Sequence, residues 1–190
     1  MTSYALVGPN GVDRIAAPGT IDPNVATKAG WSWLEVVDID RPAQGELDVI
    51  EPSVAVENGK VMRGWAVTQR APTTDDVNAE RNRRLRSFVF GGKAYDFDAN
   101  SQLNIAGAGI LAFAAIINGA QPGDLRWANA AKDFSWVAAD NASVTMDAQT
   151  TFAFAQAAGR WKADHIHAGR TIKDLGTIPT DYAADARWPA

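Results

Sequence analysis

The sequence predicts an α+β protein: a small N-terminal all-β module over residues 1–72, followed over 73–190 by an α+β domain with a buried Ala-rich helix. Three observations carry this expectation. The first ~70 residues read as short alternating strands closed by turn signals, the clearest at Asn58-Gly59. The stretch Ala71-Pro72-Thr73-Thr74-Asp75-Asp76 then breaks the strand pattern and opens a helix. Leu103 to Ile117 forms a run that is apolar nearly all round, the pattern of a helix surrounded by core.

Taken in order, Tyr4-Ala5-Leu6-Val7 reads as a strand, Gly8-Pro9-Asn10-Gly11 as a turn and Val12 to Ala16 as the return strand. Asp22-Pro23 is expected to open one helical turn, with proline at the first helical position. Trp31 to Val37 is a strand with Trp31, Trp33, Glu35 and Val37 on one face. Val54 to Glu57 and Lys60 to Arg63 flank Asn58-Gly59, the pair favoured by a type I′ turn because both central residues need positive φ. Trp65 and Val67 extend the second arm.

A helix is expected from about Asp75 to Arg86, capped by Thr73 or Thr74, with acids at its start and arginines at its end as the helix dipole favours. Its sparse apolar positions, Val77 and Leu85, leave most of its surface for water or another chain. An aromatic hairpin turns at Gly91-Gly92, and Asp98 or Asn100 caps the Ala-rich helix. Phe134 to Val137 and Ser143 to Met146 read as short strands around Asp140-Asn141. Asp147 caps a helix to about Ala168, with Gly169 ending or kinking it and one further turn at Thr171 to Leu175. Order in the tail from Thr177 depends on something to pack against.

Composition narrows the function. Hydrophobic residues make up 46% and charged residues 21% of the 190, ordinary for a folded chain. A net charge of −4 lacks the basic surplus of a dedicated nucleic-acid binder. The absence of cysteine removes disulfides, thiolate zinc sites and cysteine nucleophiles, so stability rests on burial, with seven Trp and seven Phe as anchors. The opening MTSYALVGPNGVDR has no basic start followed by an apolar core, so no signal peptide is expected. Ile105 to Ile117 is shorter than the ~20 residues a bilayer span needs, so no membrane partner is expected.

Three constellations invite a chemical reading. Asp164 and the pair His165 and His167 contain metal-ligand types, but on a helix the two imidazoles point about 200° apart, so one ion does not take both. Asp96 to Asn100 resembles the start of a calcium loop, yet Ser101 stands where its glycine belongs and Gly107 where its final acid belongs; helix capping is the better account. The arginines from Arg81 to Arg86 suit a solvated helix end or ion pairs with a neighbouring copy better than phosphates. No phosphate loop, nucleophile elbow or zincin motif is present, and no catalytic, cofactor-binding or metal-ligating residue is assigned. Paired glycosidase carboxylates leave no local signature, which keeps a glycan-cleaving alternative open.

From about Val77 to Leu175 the order of features resembles an uncharacterised domain family of tail-fibre-type structural proteins in tailed bacteriophages. The resemblance is carried by Arg81 and Arg84, the Gly91-Gly92 hairpin, the Asp98, Ser101 and Gln102 cap, the Ala-rich helix, Trp136 before Asp140-Asn141, and His165 near a helix end. The first ~70 residues are similar in style to β-modules that begin many phage tail accessory proteins, a likeness carried by Tyr4 to Val12 and by the Asn58-Gly59 hairpin with Trp65. The resemblance implies a virion or tail-fibre location, synthesis in a bacterial host cytoplasm, and no catalysis. The expected partners are other tail or fibre proteins and further copies of the chain, as a trimer or a multiple of it. The alternatives are a fibre assembly chaperone, or a receptor-glycan binder or hydrolase using Trp31, Trp33, Trp65 and Trp127 as its platform.

Overall fold

The computed structural model describes residues 1–190 and divides the chain into two compact units, Met1–Ala71 and Pro72–Ala190. The architecture is α+β: a five-stranded sheet, then three helices with two small hairpins.

In the first unit, β1 (Ser3–Gly8), β2 (Gly11–Ile15), β3 (Ser32–Asp38), β4 (Asp48–Glu57) and β5 (Lys60–Gln69) form one sheet in the order β2-β1-β3-β5-β4. All neighbours are antiparallel except β3 and β5, which run parallel with Val36 beside Val61. The edge strands β2 and β4 approach each other, so the sheet curls into a near-barrel. Asn58 and Gly59 both take positive φ, 49° and 72°, as the hairpin turn requires. The first arm of that hairpin starts at Asp48, well before the Val54 read from the sequence, and β4 accepts Pro52 in mid-strand because an edge strand needs no donor on its open side. The interior is small: Ala5, Val36 and Val61 are buried, with Val7, Val12, Ile15 and Leu34 against them. The helical turn expected at Asp22 is not formed. Asp22 Oδ1 instead accepts from the Asn24 backbone N–H at 2.9 Å, a side-chain turn that competes with helix initiation.

The second unit opens with α1 (Thr74–Arg84). Thr73 and Asp76 form a reciprocal capping box, and Val77 and Leu85 turn into the core. The hairpin of β6 (Ser87–Phe90) and β7 (Lys93–Asp96) leads into α2 (Ala99–Ile117), capped by Asp98. A second hairpin, β8 (Ser135–Val137) with β9 (Ser143–Thr145), precedes α3 (Ala148–Lys173). The hairpins meet where the Ala139 N–H donates to the Ala94 carbonyl at 2.9 Å and Lys93 pairs with Asp140 at 2.7 Å. Phe154 of α3 is the hub of the core, with the rings of Phe88, Phe90, Tyr95 and Trp136 all within 5.4 Å of its own.

Two expectations need correction here, on α3 and on the Ala-rich helix, and the condition set for the tail is met. α3 is one unbroken helix of 26 residues through both Gly159 and Gly169, and the extra turn expected at 171–175 is mostly its continuation. The tail is ordered, because Tyr182 and Trp188 are buried and Trp188 Nε1 donates to the Tyr182 carbonyl at 2.8 Å. The Ala-rich helix is not a buried core helix. Of its residues, Ile105, Ala108, Gly109 and Ala112 are buried, on the side that packs against α3. Its other side lies open, because the aromatic core already fills the space beneath α3 and the two flanking hairpins add no layer over α2.

Candidate functional site

Three surfaces of the chain have the residues to do something, and each is set by local structure. The first is a cleft of about 540 Å³ in the β unit. Period-two alternation places Trp31 and Trp33 side by side on its wall, with Asp13, Arg14, Thr27 and Lys28 around them. Each ring carries a cation of its own: Lys28 Nζ lies 4.2 Å from the Trp31 ring centre, and the Arg14 guanidinium 5.7 Å from that of Trp33. Trp65 is covered the same way by Arg41 at 5.2 Å. Of the four tryptophans named as a glycan platform, Trp31 and Trp33 are brought together and Trp65 is not. Trp127 belongs to the other unit, where its Nε1 donates to the Met146 carbonyl at 3.0 Å and its ring leans on Phe134.

The second surface is the basic end of α1. Glu80, which sequence reading missed, is only 4% exposed. It accepts from Arg83 Nε and Arg83 Nη2 at 2.6 Å each and from Arg84 Nε at 2.6 Å. Burial pushes its carboxyl upward, but the two guanidinium groups outweigh that and hold it below the ordinary glutamate range. Arg84 also donates to Asp185 at 2.7 Å and to the Ala183 carbonyl at 2.9 Å, and lies over the Trp188 ring. Arg81 donates to Asn78 and Asn82. Glu80, Arg83 and Arg84 therefore form an internal clasp, which Arg84 fastens to the tail. Lys173 reinforces it by reaching back to Asn78 at 2.9 Å.

The histidines divide as helical geometry demands. His165 is 1% exposed, its Nδ1–H donating to the Trp161 carbonyl at 2.9 Å and its ring held between Trp161 and Trp188. His167 faces out. No cluster of three metal-ligating side chains occurs in the chain. Asp98 is spent on capping: its carboxylate accepts from the Ser101 N–H at 2.8 Å, and that bond holds its pKa below the usual value.

The third surface is the open side of α2. Leu103, Ile110, Leu111, Phe113 and Ile117 are 49–72% exposed on one helix. Between Ala99 and Gly123 the sequence has no charged residue at all. Beside this face, Ala106, Gly109, Phe113, Phe152 and Ala155 line a shallow apolar groove of about 320 Å³, where Phe113 and Phe152 stack at 5.3 Å. The groove exists because α2 and α3 approach closely: a Cβ on Gly109 would stand 2.4 Å from that of Ala155. At 19 residues, α2 is also long and apolar enough to cross a membrane by length and composition, which corrects the shorter span read from Ile105 to Ile117. One of its sides, however, is packed on α3.

With this geometry in view, residues 68–187 match DUF4376, a domain of unknown function. The match spans more than half of the chain, and the chain belongs to that family. No curated protein and no solved structure matches it.

Proposed function

We propose that this chain is a non-enzymatic structural protein of a tailed-phage virion, in the tail fibre or in the tail and baseplate region that bears it. The observation that carries an assembly role is the uncharged apolar face of α2. A contiguous surface of large aliphatic and aromatic side chains marks a place where another macromolecule sits. The phage assignment is supported by the order of features over residues 77–175, which resembles tail-fibre-type proteins. In this reading the β unit holds one tail protein, while the helical unit holds a second or another copy of the chain.

Proteomics of intact purified particles tests it. A fixed low copy number relative to the major tube protein, in a multiple of three or six, is the expected result. Presence in infected-cell lysate but absence from particles would replace this reading with an assembly chaperone. A second reading attaches to the Trp31 and Trp33 cleft alone, whose paired indoles and mixed charges suit a glycan. It predicts binding on a glycan array that Trp31→Ala and Trp33→Ala each abolish.

A further inference from the structure

We propose that the open side of α2 is the contact between two copies of this chain, packed antiparallel about a twofold axis at Ile110. This rests on the assembly reading and names the partner for that surface. The stripe runs Leu103, Ala106-Gly107, Ile110, Phe113-Ala114, Ile117, and its spacing is the same read forwards or backwards from Ile110. About a twofold axis residue i of one copy meets residue j of the other and j meets i, so a stripe of this spacing can pair with itself.

The sizes fit as well as the spacing. With the axis at Ile110, Leu103 faces the partner's Ile117, while Phe113 lies against the partner's Ala106 on one flank and Gly107 against the partner's Ala114 on the other. Gly107 has open space around it: a Cβ there would meet nothing within 4 Å. The largest side chain of the stripe thus lies opposite an alanine, and the open space at Gly107 admits the partner's Ala114, the alternation of large and small that lets two helices interdigitate.

Area and charge point the same way. Leu103, Ile110, Phe113 and Ile117 leave roughly 400 Å² of apolar surface in water. Pairing two copies removes roughly 800 Å² from these side chains alone, and their neighbours bring the total towards the roughly 1,200 Å² at the lower end of a stable complex. A stripe without charge offers a charged partner nothing to pair with, whereas a second identical stripe leaves no buried charge unmatched. A lipid surface suits it less. Helices that lie on membranes carry lysine and arginine along their polar side, and α2 has neither.

The chain has no cysteine, so introduced thiols report geometry cleanly. Sedimentation of the full chain is expected to give twice 20.3 kDa. Ile110→Lys is expected to weaken association about 30-fold or more, as loss of a central apolar anchor does. Gly107→Leu is expected to weaken association without lowering the melting temperature of the dilute chain. Under oxidation, a mixture of Leu103→Cys and Ile117→Cys chains should cross-link to each other, and neither should cross-link to itself.

A 20.3-kDa species at every concentration up to the solubility limit overturns the proposal. So does self-cross-linking of Leu103→Cys, which requires parallel helices or an axis near residue 103 instead of Ile110. Flotation of the wild type, but not of Ile110→Lys, with phosphatidylcholine vesicles would assign the face to lipid instead. The two readings fail separately. A monomer present at fixed copy number in particles ends the pairing and keeps the virion role. A pair missing from particles does the reverse.

Discussion

Two glycines in the helical pair carry opposite consequences for the same substitution. Gly109 stands where α2 crosses α3, and a methyl group there would meet the Ala155 methyl at 2.4 Å. Gly109→Ala should therefore destabilise the second unit by about 1–3 kcal/mol, the overpacking cost exceeding the gain in helix propensity. Gly159 lies within α3 with nothing within 4 Å of an added Cβ. Gly159→Ala should stabilise by about 0.5–1 kcal/mol. Paired urea melts of the two variants check both signs. Phe154 is the other residue on which much depends. It is fully buried among four aromatic rings, so Phe154→Ala should cost about 3–5 kcal/mol, read as a shift of the denaturation midpoint at unchanged slope.

Helix starts and ends in the second unit are held by carboxylates whose proton affinity the fold lowers. Asp147 caps α3 through the Thr150 N–H at 2.7 Å and also accepts from the Gly123 N–H at 2.7 Å, joining the helix to the loop before it. Its pKa is held down by the Thr150 and Gly123 bonds, and that of Glu80 by Arg83 and Arg84 against the upward push of burial. Between the lowered folded value and the unfolded value of about 4, the unfolded chain binds more protons. The stabilisation is complete above about pH 5 and is lost as pH falls through the folded pKa values. Thermal melts from pH 7 to pH 3 should thus show a falling melting temperature. Asp147→Ala should lower stability at pH 7 by about 1–2 kcal/mol and flatten the acid limb.

These elements also show what local pattern does and does not reveal. Caps, turns and strand alternation were readable because Thr73, Asp98, Asp147 and Asn58-Gly59 act on backbone groups within a few residues of themselves. The burial of α2 was not readable. An apolar helix in a core and one waiting for a partner have the same composition, and only the placement of the aromatic hub under α3 separates them. Glu80 was hidden for a related reason. Its partner Arg84 is held by the tail at Ala183 and Trp188, about a hundred residues further along. The Trp31 and Trp33 wall was legible as alternation, but the cations lying over those rings were not.

The two units differ in what holds them. The β unit has three buried apolar residues, while the helical unit has a continuous aromatic core. A small core leaves a domain near the threshold of stability. Calorimetry should resolve two transitions, with the β unit melting first. Val61→Ala should lower that first transition, at a cost of about 1–2 kcal/mol, and leave the second in place.

The clasp between α1 and the tail has a consequence for the order of events during synthesis. Arg84 and Asp185 are separated by 101 residues, and the bond between them closes only when the second has been made. At 5–20 residues per second, α1 leaves the ribosome about 5–20 s before its last ion-pair partner. Through that interval Arg84 lacks its contacts with Ala183, Asp185 and the Trp188 ring. Residues 183–188 therefore act as a timer, and the helical unit becomes fully native only after translation has passed them.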